Sequence, residues 1–183
     1  MINANDTLAR RLGTTTHLSG LLIKARRLGL RTPRDLCTLA VQRGCRHYSQ
    51  GTEPSGELVP REKLSDEELA LALLNVALPY DPHCIRCGAA MLGSEQNDPK
   101  RIARLAKWER SEAVVRYVAE CGRRFEPENP FWLRLIALLP DSTPKDGVLP
   151  HPTRFVAMSG FVRGIGPKLE TEWQRPRRAK ACA

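Results

Sequence analysis

Apolar residues recur along this chain at three- and four-residue spacing, the period of helices that bury one face. Leu18, Leu21, Leu22, Ala25 and Leu28 form one such stripe, closed by Gly29. Leu36, Leu39 and Ala40 form the next. That helix is predicted to start at Thr32-Pro33, a capping hydroxyl followed by proline in the first turn, and to run to about Arg43 before Gly44. Ahead of both, Asn5 and Asp6 are placed to cap a short helix through Leu12, ended by Gly13.

Between Tyr48 and Lys63 the pattern lapses into Gly, Ser, Pro and Glu with few apolar residues, which reads as an exposed linker. Ser65-Asp66-Glu67-Glu68 then opens a helix whose run LALALLNVAL is apolar enough for burial on most of its surface, with Pro79 closing it. Asp81-Pro82, Asp98-Pro99 and Asn129-Pro130 each pair a capping side chain with proline at the first helical position. The helix from Asp98 is expected to continue, with a kink, to about Phe125, and the last, FWLRLIALL, to stop at Pro140. Beyond it, PDSTPKDGVLPHPT is a loop, RFVAMSGFVRG a short strand or docked apolar segment, and QRPRRAKACA a disordered basic tail.

These elements predict an all-α fold, a helical bundle or a short helical-repeat-like array. The division expected is a basic helical-hairpin module over 1–47, a linker over 48–63, a helical core over 64–140, and a loop-rich segment with an irregular basic tail over 141–183. Composition agrees: hydrophobic residues make up 42%, but aromatics only 5%, which leaves the core to Leu, Ala, Val and Ile and favours helix over sheet. No apolar run approaches the roughly 18 residues of a membrane span, and MINANDTLARRLG lacks a secretory apolar segment. A cytoplasmic protein with no membrane partner is the expectation.

Charge changes the picture, because the excess of +9 is unevenly placed. Residues 1–47 carry a net +7, 48–82 a net −5, 83–139 a net +3 and 140–183 a net +4. A basic first segment suits an anionic partner such as DNA or RNA. Within it, Thr7 to Leu30 resembles part of a helix-turn-helix: Ala9 and Gly13 stand four apart, and Leu8, Leu12, Leu18 and Leu22 can pack two helices together. On that reading His17, Ser19, Lys24, Arg26 and Arg27 face outward, the cations toward phosphates and His17 and Ser19 toward base edges. Ser19 stands where that motif has an apolar residue, and the triple Thr makes a long turn. The competing reading is an amphipathic hairpin with a solvated basic face, serving an α-helical protein–protein interaction module.

Candidate chemistry is sparse. No P-loop, dinucleotide glycine turn, GxSxG or HExxH is present, so no enzyme class and no cofactor is indicated. The remaining signal is PHCIRCGAAM, Pro82 to Met91, with Cys84 and Cys87 two residues apart. As half of a metal site it lacks a second pair, since seven residues separate Cys37 from Cys45 and Cys121 stands alone. As a redox pair it has the helix N-terminus that lowers a thiol pKa but no preceding strand. Buried structural thiols are therefore expected, with metal and redox roles for Cys84 and Cys87 as the alternatives.

Overall fold

In the computed structural model, residues 6–49, 59–159 and 170–177 are described. Among them eight α-helices accompany one two-stranded antiparallel sheet, an all-α, bundle-like fold. The helices are α1 (Leu8–Leu12), α2 (Gly20–Arg27), α3 (Pro33–Gln42), α4 (Asp66–Leu73), α5 (Pro82–Leu92), α6 (Pro99–Trp108), α7 (Glu112–Phe125) and α8 (Pro130–Ala137). The strands are β1 (Val156–Ser159) and β2 (Glu170–Trp173), with Val156 opposite Trp173.

The capping side chains start the helices as their chemistry requires. Thr32 and Ser65 make reciprocal capping boxes with Asp35 and Glu68, while Asp81, Asp98 and Asn129 each accept a backbone N–H two residues on. Two starts differ from expectation. Thr7 caps α1 in place of Asp6, whose carboxylate is drawn off into an ion pair with Arg11 at 2.6 Å; Asn5 lies outside the described residues. The predicted helix from Asp98 to Phe125 is two helices, because Arg110 turns to φ 49° and ends α6.

The α4 helix occupies the centre. Leu69, Ala70, Leu71, Ala72 and Leu73 are all buried, and the helix packs against α2, α3, α5 and α6. It ends at Leu74 rather than reaching Pro79. The freed carbonyls of Val76 and Leu78 then accept from Ala9 and Leu8, whose N–H groups are otherwise orphans of the first turn of α1. One hydrophobic cluster runs from Leu8 through α3, α4 and α5 to Trp173. The cluster takes in residues on both sides of 48–63; residues 50–58 of that segment lie outside the description.

The predicted basic tail is packed onto the fold as far as Arg177. Trp173 is 1% exposed and stacks edge-on against Trp132 at 5.0 Å between centroids, with Phe155 at 5.7 Å. Both indoles approach backbone closely: a methyl on Gly93 would lie 2.4 Å from Trp173 Nε1, and one on Gly122 2.3 Å from Trp132 Cε2. Beyond the strand, Arg175 donates to Glu126 and to the Gly93 carbonyl, and the Arg177 N–H donates to the Gly44 carbonyl. Residues 178–183 are outside the description. No helix among the described residues is long and apolar enough to cross a membrane.

Candidate functional site

The structure separates the residues that sequence grouped on α2. Ser19 is 3% exposed and does not face outward. Its hydroxyl caps α2 by accepting from Leu22 N–H, accepts from Asn75 Nδ2 at 3.0 Å, and donates to Glu109. His17 is half-buried, and both its ring nitrogens are enclosed without a hydrogen-bond partner among the described residues. The end of α2 that a helix-turn-helix presents to a groove is thus turned into the protein against the end of α6. The cause is the capping requirement itself: a serine that satisfies the first turn from inside the core cannot also reach a base.

The cations divide differently. Lys24 pairs with Glu68 at 2.7 Å, Arg43 with Asp66 at 2.8 Å and Arg101 with Glu67 at 3.9 Å. Bases from α2, α3 and α6 therefore neutralise the acidic first turn of α4, bringing together charges that the sequence keeps apart. Among the cations that stay exposed with no ion pair among the described residues are Arg26 and Arg27 at the end of α2 and Arg31 and Arg34 around the following turn. Lys100, Arg104 and Lys107 on α6 join them.

Sequence reasoning passed over this α6 face. Its inward residues are Ile102, Leu105 and Ala106, so Lys100, Arg104, Lys107 and Trp108 fall within one outward sector of roughly 120°. Trp108 is 68% exposed and Leu18, beside Ser19, is 84% exposed. The α2 and α6 ends that carry them are fastened by Glu109, which accepts from Leu21 N–H at 3.0 Å as well as from Ser19. The signal was legible in PKRIARLAKW, where a tryptophan falls on the cationic side of an amphipathic helix.

The second constellation lies where α3 crosses α5. Asp81 accepts from His83 N–H at 2.8 Å and, with Pro82, fixes the first turn of α5. Cys84, one turn before Cys87, faces α3, and its sulfur is 3.1 Å from that of Cys37. One ligand atom each from Cys37, His83 and Cys87 lie within 4.8 Å of one another. All three cysteines are buried, and His83 is half-buried with its ring edge-on to Tyr48. Contact with Cys37, then burial, raises the Cys84 thiol well above its ordinary range. The other two described thiols stand apart from this group. Cys45 meets Met91 at 3.5 Å, with burial pushing it up to about 12, and Cys121 sits on α7.

No protein-family model matches the chain, and neither curated proteins nor solved structures show a significant similarity to it.

Proposed function

We propose that the protein binds single-stranded nucleic acid along the edge formed by α2 and α6. Trp108 stacks on a base, and Arg26, Arg27, Lys100, Arg104 and Lys107 meet phosphates. The observation that carries this reading is Trp108, 68% exposed at the end of a row of unpaired cations. A large aromatic left in water among positive charges is the combination that single strands use, with base stacking contributing about 1–3 kcal/mol per base and the cations tracking the backbone. A duplex offers that indole no free base face, and the buried start of α2 supplies no groove-reading residues in its place. A helical protein–protein interaction module is the second reading, favoured by the exposed Leu18 close to the same edge.

Fluorescence anisotropy against single-stranded and duplex DNA of mixed sequence, at low and moderate salt, tests it. Binding should favour the single strand and weaken with salt. It should also quench tryptophan emission, since Trp132 and Trp173 are shielded at 0% and 1% exposure and Trp108 is not. Trp108→Ala should lose the quench and most of the single-strand preference, whereas neutralising Arg26 and Arg27 should chiefly flatten the salt slope, by up to about two. Absence of binding at low salt would hand the edge to the interaction reading.

A further inference from the structure

We propose that Cys37, His83, Cys84 and Cys87 form a structural zinc site that fastens α3 to α5. The sequence shows only the CxxC; the fold supplies the rest. Cys37 comes from a helix 47 residues earlier and brings its sulfur to 3.1 Å from Cys84, and it shares a 4.8 Å envelope with ligand atoms of His83 and Cys87, to which Cys84 is joined through Cys37. Three thiols and one imidazole are a set that zinc takes in closed structural sites, with all four positions filled by protein.

The distances suit a metal better than the alternatives. Sulfurs about 2.3 Å from a tetrahedral zinc lie roughly 3.8 Å from each other, inside the 4.8 Å envelope that holds Cys37, His83 and Cys87. Cys37 and Cys84 at 3.1 Å would move apart by a fraction of an ångström to share the ion, which is a smaller shift than closing to the roughly 2.05 Å of a disulfide. Simple packing of apolar thiols does not explain the convergence either. Cys45 and Cys121 are equally enclosed in this core, and neither shares the envelope of Cys37, His83 and Cys87, while Cys84 stands just outside it at 3.1 Å from Cys37.

The electrostatics of the surroundings fit. Three thiolates on one zinc leave a net negative charge, and the first turn of α5 directs its partly positive end toward that position. Arg86, the residue before Cys87, stacks on the Tyr48 ring at 5.2 Å, and its Nε is buried without an acceptor among the described residues. A cation held beside the cluster with a donor unspent is consistent with an anionic centre there. The site is enclosed and has no open coordination position, so its role is to hold the fold.

The test is elemental analysis of the full chain, expressed with zinc and purified under reducing conditions, together with cobalt(II) titration of the chelated protein. About one zinc per chain is expected, with a cobalt spectrum showing tetrahedral geometry and thiolate charge transfer, and a lower melting temperature after chelation. Cys87→Ser and His83→Gln should each lose most of the metal, while Cys45→Ala should keep it. Should the ligand variants fail to fold, the wild-type cobalt spectrum alone decides: thiolate bands uphold the site. Wild-type protein that carries no zinc and gives no such bands, or that purifies with a Cys37–Cys84 disulfide, overturns it.

Discussion

Ser19 and Glu109 meet in the core across ninety residues of chain, the N-cap of one helix bonded to the C-cap of another. The Glu109 carboxylate is 5% exposed and also accepts from Asn75 Nδ2 at 2.9 Å and Leu21 N–H at 3.0 Å. Glu109→Ala would leave three buried donors facing a void. A stability loss of about 2–4 kcal/mol is expected in urea unfolding, with a smaller loss for Glu109→Gln, which keeps one acceptor. Equal effects of the two changes would show that the carboxylate's bonds contribute little.

Arg110 holds a left-handed backbone, φ 49°, where helices ordinarily end on glycine. Arg110→Gly should stabilise the fold by about 1 kcal/mol, measured as a raised melting temperature. Strain of this kind persists where surroundings or function require it, and Arg110 follows Trp108 by two positions. If the nucleic-acid edge is as proposed, the stabilised variant should bind single strands more weakly than the parent.

Glu126 ties the start of α8 to the chain beyond β2 and gives the fold a pH dependence. Burial alone would raise its carboxyl, but hydrogen bonds from Arg175, Trp132 and Asn129 outweigh it and hold the group below its ordinary value. Its contribution is therefore complete above the unfolded value, near 4.3, and disappears as pH falls through the lower folded value. Melting temperature should decline through this acid range in the wild type, and Glu126→Gln should lessen the decline while lowering stability at neutral pH. An unchanged pH profile in that variant would assign the acid sensitivity elsewhere.

The helices were legible because their signals are local. Thr32-Pro33, Asp81-Pro82 and Asn129-Pro130 place a cap and a pre-set φ next to each other in sequence, and each starts a helix at that place. The break between α6 and α7 was not, since Glu109-Arg110-Ser111 contains neither glycine nor proline and the turn is held by tertiary bonds to α2. Ser19 was misplaced for a related reason. A serine at a helix start is equally suited to solvent and to core, and only Glu109 and Asn75, far along the chain, decide between them. The convergence of Cys37 on Cys84 and Cys87 was illegible in principle, because ligand spacing reads pairs within a segment while this one depends on how α3 crosses α5.

Trp173 also sets an order of events during synthesis. A chain leaving the ribosome N-terminus first can assemble α1 through α8 while the hollow above Gly93 and the face of Trp132 are still bare. Only when the residues of β2 emerge can the indole close that aromatic surface and Arg175 reach Glu126. Until then the nascent protein displays a sticky tryptophan that the finished one conceals, which makes the interval between synthesis of α8 and of β2 the one most exposed to aggregation and to chaperone capture.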